Sequence, residues 1–280
     1  MHKFITAIDG LKYSESAIHY AVQLAKTAGA TLVGVFLEDK AYHGYKIYEL
    51  LDDDGTVSET KRATLEEKDV SARSMAVKHF EKACRKEGVN YIVHHDRKHA
   101  IHELLYESLY ADLVIIDKKE TLTHYEENIP TGFIRHLLER ISCPALVVPS
   151  VYTPVTKQVL LYDGGPSSVF AIKQFSYMFP ELKSLPAEVI TVKEDRKQEN
   201  LPGSKLIKEF MKWHFPHAGY TLLKGEPGEA IVKHISKQTQ DAIVVAGAYQ
   251  RGNVSRWFKP SIADKLMQEL ELPLFIAHSK

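Results

Sequence analysis

The sequence predicts an α/β protein with two similar open parallel sheets, each of five strands and flanked by helices. Short apolar runs alternate with helical patterns along the chain, and this order is typical of parallel sheets. The order of elements also occurs twice. In each half the first strand ends at an Asp-Gly turn, and a strand that follows a proline closes the half.

Length and composition limit the classes of function. The chain has 280 residues, of which 44% are apolar, enough for two medium-sized domains. Basic and acidic residues both number 36, so no overall field favours nucleic acid or an anionic membrane. No apolar run reaches the roughly 20 residues of a membrane span, and the N-terminus lacks the features of a signal peptide. We expect a cytoplasmic protein with no membrane span and no nucleic-acid partner.

The first half, residues 1–150, is predicted to contain five strands. The first strand, residues 4–8, ends at Asp9, and Ser14 or Ser16 can cap the next helix by accepting hydrogen bonds from its first N–H groups. Gly29 ends that helix, and a parallel strand at 31–37 completes a right-handed crossover. Later strands are predicted at 91–95, 113–116 and 145–148, and later helices at 70–87, 100–110 and 133–140.

Residues 40–70 interrupt this order with three tyrosines, an acidic run at 52–54 and a charged stretch. We interpret them as an insertion over the carboxyl edge of the sheet. An exposed extension of the next helix is the preferred interpretation, and a functional lid is the alternative, because long loops have either role.

The second half, residues 151–280, repeats the pattern after a proline-containing linker at 149–154. Strands at 159–162 and 189–192 match the first two strands of the first half, and Ser167 or Ser168 can cap the helix between them. The interval from Asp112 to Cys143 equals that from Asp241 to Leu272. We therefore predict a duplicated unit whose copies pack as an intramolecular pseudo-dimer through their last strands, without one continuous sheet. Association of two chains into a homodimer stays open.

The segment 241–261 is the first candidate site. Apolar residues lead to Gly247, and a polar loop then leads to a helical pattern. In a parallel sheet such a turn lies at the carboxyl edge, where backbone N–H groups and a helix N-terminus can hold a phosphate. The glycine alone is a weak indication, because any such turn can use glycine for close packing.

Several of these features together resemble the universal stress protein family in its tandem form. They are the Asp-ended first strands, the Gly225-Glu226-Pro227 turn, the loop at Gly247 and the final Cys-Pro and Leu-Pro strands. The resemblance implies an adenine-nucleotide α-hydrolase-like, Rossmann-like fold and a role in stress survival. Its ATP-binding members carry a motif of Gly, two residues, Gly, nine residues, Gly, and Ser or Thr.

In the second half this motif falls on Gly247, Gln250, Pro260 and Ser261, so two of four positions match. Pro260 removes an N–H donor that a phosphate could use. Nearby, Arg251 supplies a charge for a phosphate and Gly252 supplies flexibility. The resemblance assigns adenine contacts to Asp163 and Val192.

In the first half the motif positions fall on Lys118, Thr121, Thr131 and Gly132, so no motif glycine is kept. The resemblance assigns the adenine contacts of this half to Asp9 and Val35. Lys118 could neutralise a phosphate, although lysines on loops are usually solvated. Nucleotide binding is therefore expected, if at all, in the second half.

Other residues indicate possible sites only weakly. A histidine-rich stretch could bind a transition metal, but an exposed polar turn is the preferred interpretation; its members are His94, His95, Asp96, His99 and His102. Cys84 and Cys143 lack metal or disulfide spacing, so buried packing is expected. Trp213 and Trp257 are interpreted as partly buried anchors, because no basic stripe accompanies them.

Two classes of function remain open. No catalytic motif is present at usable spacing, so we expect no enzyme and no metal. The preferred function is a nucleotide-free stress scaffold or carrier of a small apolar ligand. The alternative is a sensor that binds ATP in its second half.

Overall fold

A computed structural model describes residues 2–38, 43–52, 55–96, 99–193, 201–247 and 260–278, with only the backbone described for residues 260 and 261. The first half contains strands β1 Lys3–Ile8, β2 Thr31–Leu37, β3 Tyr91–Asp96, β4 Leu113–Asp117 and β5 Ala145–Val148. Its helices are α1 Glu15–Ala28, α2 Glu59–Glu87, α3 Ala100–Ser108 and α4 Gly132–Arg140, with a 3₁₀ turn at Ile47–Leu50.

The second half repeats this series. Its strands are β6 Lys157–Leu161, β7 Ala187–Lys193, β8 Ala218–Lys224, β9 Ala242–Gly247 and β10 Leu274–Ala277. Its helices are α5 Pro166–Met178, α6 Ser204–His214, α7 Pro227–Gln238 and α8 Pro260–Glu269, with a 3₁₀ turn at Pro180–Ser184.

The strands form one ten-stranded sheet in the order β3-β2-β1-β4-β5-β10-β9-β6-β7-β8. Within each half all pairs are parallel and the strand order is the same, which confirms the predicted fold class. The expectation that the sheets would not be continuous is wrong. β5 and β10 pair antiparallel, with Leu146 opposite Phe275, because each offers the other an edge of unpaired N–H and C=O groups.

Helices cover both faces of this sheet. One apolar core contains residues of α3, α4, α7 and α8, and the other contains residues of α1, α2, α5 and α6. The inner strands are apolar on both faces because both faces are buried, as in other parallel sheets, whereas the edge strands β3 and β8 are partly exposed. Each core includes side chains from both halves, so the halves share their packing.

Helix α1 begins and ends where its sequence predicts. Ser14 Oγ accepts a hydrogen bond from the N–H of Ala17 at 3.2 Å, and Gly29 ends the helix in the left-handed conformation at φ 59°. The linker between the two halves lies against α1, because the hydroxyl of Ser16 donates to the carbonyl of Pro149 at 2.6 Å.

Cys84 and Cys143 are both buried, as expected.

Helix α2 begins much earlier than the predicted residue 70. It starts at Glu59 after the capping residue Ser58 and is 29 residues long. Its first turns are charged and exposed, so apolar periodicity could not reveal them. Further along, α2 passes close to the turn after β1: a Cβ on Gly10 would lie 2.9 Å from Arg73 Cγ. Part of the insertion is therefore a helical extension.

Within the described residues, no helix combines the length and apolar character that crossing a membrane requires.

Candidate functional site

The carboxyl edge of the first half is lined by three buried carboxyl groups. Asp9 follows β1, Asp117 ends the neighbouring strand β4, and Glu120 lies three residues further on. Asp9 Oδ1 accepts a hydrogen bond from the N–H of Leu11 at 2.8 Å. Asp117 accepts bonds from the hydroxyl of Ser14 at 2.7 Å and from the N–H of Lys119 at 2.8 Å. These carboxylates therefore shape the turns that follow their own strands.

Glu120 is the most perturbed acid of this group. Burial, and next the negative charge of Asp9, raise the pKa of Glu120 to about 8; the charge of Asp117 acts in the same direction. The N–H groups of Thr121 and Leu122 donate to Glu120 Oε1 at 2.9 and 2.7 Å and oppose the rise only in part. Glu120 therefore keeps its proton at neutral pH.

The loop after β4 folds over this edge and is fastened there. Lys12 Nζ donates to Thr121 Oγ1 at 3.1 Å and to the carbonyl oxygens of Thr123 and Tyr125. The hydroxyl of Thr131, the capping residue of α4, donates to the carbonyl of Glu120 at 2.5 Å. Thr121 and Thr131, which occupy two of the aligned motif positions, thus form hydrogen bonds that hold the loop in place.

Lys118 is buried and directed to the second half. Its Nζ donates to the carbonyl oxygens of Met267 and Leu270, both at 3.2 Å, and lies 2.7 Å from Glu271 Oε1. These acceptors lie in and just after the last turn of α8, where helix carbonyls lack helical partners. Binding of a phosphate by Lys118 would require these bonds to break. Val35 is buried in β2, next to Ala7 of β1.

In the second half the turn after β6 is closed by Asp163. Its Oδ1 accepts hydrogen bonds from the N–H of Gly165 at 2.8 Å and from the hydroxyl of Ser168 at 2.6 Å. Gly164 in this turn has φ 82°, and a Cβ there would lie 2.5 Å from Cβ of Pro202. The hydroxyl of Tyr162 donates to the carbonyl of Pro202 at 2.8 Å. The chain around Pro202 therefore lies against this turn.

Gly247 is required by packing. A Cβ at this residue would lie 2.4 to 2.6 Å from backbone atoms of Ser167 and Ser168 in the first turn of α5. Only glycine permits this approach of helix to strand. The aligned position in the first half is Lys118, so α1 cannot approach β4 in the same way.

The structure brings three of the second-half candidates to one edge. Val192 on β7, Asp163 after β6 and Gly247 on β9 belong to adjacent strands of the sheet, and Val192 is buried. Gln250, Arg251 and Gly252 lie outside the described residues, and Ser261 is described only as part of α8.

A model described as the universal stress protein family matches residues 1–149 of the chain. The chain belongs to the universal stress protein family. The match falls on the half in which no motif glycine is kept. None of the curated proteins matches the chain in sequence.

Solved structures extend the likeness to the whole chain. A universal stress protein from Archaeoglobus fulgidus DSM 4304 matches with a TM-score of 0.68 and 12% identity, covering 99% of this chain and 98% of the other. A protein from Pseudomonas aeruginosa UCBPP-PA14, assigned to the universal stress proteins, matches with a TM-score of 0.60 and 14% identity, covering 99% and 93%. At these identities the likeness concerns the fold.

Two histidines of the histidine-rich stretch of this universal stress protein contact different carboxylates. His94 Nδ1 lies 2.6 Å from Glu107 Oε1, and His95 Nδ1 lies 3.1 Å from Glu38 Oε1. Within the described parts of the chain, no group of three or more His, Cys, Asp or Glu residues is arranged to hold a metal ion.

Two features differ from what the sequence suggested. Trp213 is 79% exposed on α6, so its interpretation as a partly buried anchor is wrong; Trp257 lies outside the described residues. Asp117 and Glu120 were not predicted from the sequence. A signal for Asp117 was present, because it ends β4 as Asp9 ends β1, and ends of adjacent parallel strands meet at one edge.

Proposed function

We propose that this universal stress protein is a cytoplasmic, non-enzymatic stress-response scaffold or small-ligand carrier whose first half holds no nucleotide. The buried carboxyl groups of Asp9, Asp117 and Glu120 carry this proposal. Burial, and next the charge of Asp9, raise the pKa of Glu120, so this site disfavours another negative charge. A phosphate in the same place would add more negative charge, and like charges brought together without water repel strongly.

The cations near this edge support the same conclusion. Lys12 donates hydrogen bonds to three oxygens of the loop. Lys118 donates to two backbone carbonyl oxygens at the end of α8 and to Glu271. Neither ammonium group is available to a ligand unless the loop or α8 moves. The first-half edge is thus filled by its own loop, an arrangement that favours a structural role for this half.

The deciding experiment is mass spectrometry of the freshly purified and denatured full chain. We expect no adenine nucleotide above the level released by a control protein purified in parallel. Stoichiometric nucleotide would contradict the scaffold proposal, and calorimetric titration of Asp9→Asn and Asp163→Asn variants would then identify the half that holds it.

A second candidate, an ATP sensor, is supported by the placement of Val192 and Gly247 on β7 and β9 and of Asp163 just after β6, which lies between these two strands. We propose that any nucleotide binds in this half, with Ser261 and the loop of Gln250 and Arg251 near its phosphates. Because Gly247 has a packing function of its own, its presence does not decide between the two proposals.

Restoring the glycine motif of the second half distinguishes the scaffold proposal from the ATP-sensor proposal. In a Gln250→Gly and Pro260→Gly double variant the backbone can approach phosphates and gains an N–H donor, and a hydrogen bond to a charged group contributes about 1.5 to 3 kcal/mol. If the loop is a degraded phosphate site, calorimetric titration with Mg-ATP will show weak binding by the wild type and roughly ten- to a hundredfold tighter binding by the variant. Unchanged affinity in a normally folded variant would favour the scaffold.

A further inference from the structure

Helix α6 has an exposed apolar side as well as a buried one. Ile207 and Met211 are buried in the core beneath the helix, whereas Leu206 is 72% exposed and Trp213 is 79% exposed. Leu206 and Trp213 are seven residues apart, which places them two turns apart on the same side of the helix. A tryptophan this exposed is unusual, because the side chain buries a large apolar area where it can.

Lysines are frequent on α6 and on the two elements that precede β7. Helix α5, the 3₁₀ turn Pro180–Ser184 and α6 together contain five lysines and two glutamates, although the whole chain has no net charge. The lysines are Lys173, Lys183, Lys205, Lys208 and Lys212. Burial, followed by the charges of Lys183 and Lys173, lowers the pKa of His214 on α6, so these two lysines lie close to the helix. The ring of Tyr177 on α5, itself exposed, lies 5.4 Å from that of His214.

Within the described part of the chain, these lysines form no ion pairs. Lys208 lies over the ring of Tyr220, and Lys173 lies over the ring of Tyr177. Four of the five are exposed and Lys183 is half-buried, so most of this positive charge is accessible on α6, which carries Leu206 and Trp213, and on α5.

We propose that this surface, formed by α5, the 3₁₀ turn and α6, docks onto an anionic lipid bilayer. Leu206 and Trp213 enter the interface between headgroups and acyl chains, and the lysines contact the lipid phosphates. Basic helices with exposed tryptophan and leucine bind in this way, parallel to the membrane plane. A charge-neutral protein can reach such a membrane because the attraction acts locally, within a Debye length of the lysines.

Other partners fit this surface less well. A single-stranded nucleic acid would need several aromatic rings on which successive bases stack, and Leu206 would contribute nothing to such binding. The core of a protein interface is normally depleted of lysine, whereas here lysines lie on the same helix as the apolar side chains. A bilayer uses both the lysines and the apolar pair.

The test is flotation of the full chain with vesicles of phosphatidylcholine alone or with phosphatidylserine added. We expect binding only to the anionic vesicles, and weaker binding as salt is raised. A Lys205→Gln, Lys208→Gln and Lys212→Gln variant should bind about a hundredfold more weakly, since each lysine near an anionic surface contributes roughly fivefold. Trp213→Ser should weaken binding by about tenfold.

Matched variants elsewhere control for charge and exposure. Lys68→Gln, Lys78→Gln and Lys82→Gln together remove the same charge from exposed positions on α2, and Ile47→Ser removes an apolar side chain that is also 79% exposed. Neither should change vesicle binding, and none of the variants should change the melting temperature. The proposal is overturned by absent binding to anionic vesicles, by equal losses in the α2 control, or by preference for an RNA oligonucleotide over the vesicles.

Discussion

Glu120 is a buried carboxyl group whose ionisation opposes folding. Its pKa is about 8 in the folded protein, above the ordinary value of 4.5. Between these two pH values the unfolded chain releases the proton while the folded protein keeps it, so stability falls as pH rises through this window. Below the ordinary value both states are protonated, and the group contributes nothing.

We therefore predict that Glu120→Gln stabilises the protein at pH 8 but not at pH 4.5. The amide oxygen can still accept the bonds from Thr121 and Leu122, and it never ionises. The gain at pH 8 should be on the order of a few kcal/mol, because one pKa unit corresponds to about 1.4 kcal/mol. Urea denaturation at both pH values measures it.

The exposed Glu126 in the same loop provides the control. Glu126→Gln should leave the pH dependence as in the wild type. If the stability of wild type and Glu120→Gln changed in parallel between pH 4.5 and pH 8, Glu120 would not be the group that titrates.

Gly247 permits a second prediction about a single residue. Gly247→Ala should destabilise the protein by about 1 to 3 kcal/mol, because the new methyl group would overlap the backbone of Ser167 and Ser168. Gly219→Ala is the matched change, since a Cβ there has no neighbour closer than 4.0 Å. Thermal unfolding of both variants compares them. Equal stability would show that α5 can move away from β9, and that packing does not require glycine at residue 247.

At this scale the sequence predicts where a side chain stands along a strand, but not what it contacts. Asp9, Asp163 and Gly247 were placed at the carboxyl edges because strand periodicity and the Asp-Gly turns mark those ends. Glu120 lies in an irregular loop, and Lys12 donates hydrogen bonds to that loop from the turn after β1. Such contacts connect residues more than 100 positions apart, and no local pattern encodes them.

Helix α8 is one element that joins the halves outside the sheet. Lys118 is bonded to carbonyl oxygens of Met267 and Leu270, and Gln268 Nε2 donates to the carbonyl of Ile129 at 2.7 Å. The first half thus holds the helix that follows the candidate loop of the second half.

Replacing Lys118 with methionine should loosen α8. The change keeps most of the side-chain volume and removes charged hydrogen bonds, each worth about 1.5 to 3 kcal/mol. We expect faster hydrogen exchange of α8 amides, together with lower stability. Lys119→Met is the control, because Lys119 is adjacent and exposed. Unchanged exchange in α8 would mean that the sheet and core alone fix this helix.

The bounds of buried elements were predictable, and those of exposed ones were not. The predicted strands 31–37 and 145–148 agree with the structure to the residue, because both are apolar runs bounded by Gly, Ala or Pro. The first turns of α2 and the edge strand β8 are largely exposed. Their sequences lack the apolar pattern that burial imposes, so only the structure shows them.

At the scale of the whole molecule, the sheet makes the two halves one unit. β5 and β10 are paired, and Phe275 of β10 lies 5.2 Å, between ring centroids, from Phe175 of α5. The same core contains Phe80 and Phe36 of the first half. Loss of packing in one half should therefore reach the other through shared apolar contacts and ladder hydrogen bonds.

The last prediction is that the chain unfolds as a single cooperative unit. Phe80→Ala creates a cavity in the first half, where Phe80 is fully buried, and such changes cost about 3 to 5 kcal/mol. In native-state hydrogen exchange, the opening free energies of β2 and β7 should fall by the same amount, because both strands exchange only when the whole sheet opens. Tyr106→Ala, at an exposed position of α3, should change both strands by less than about 0.5 kcal/mol. A drop confined to β2 would mean that the halves unfold independently despite their common sheet.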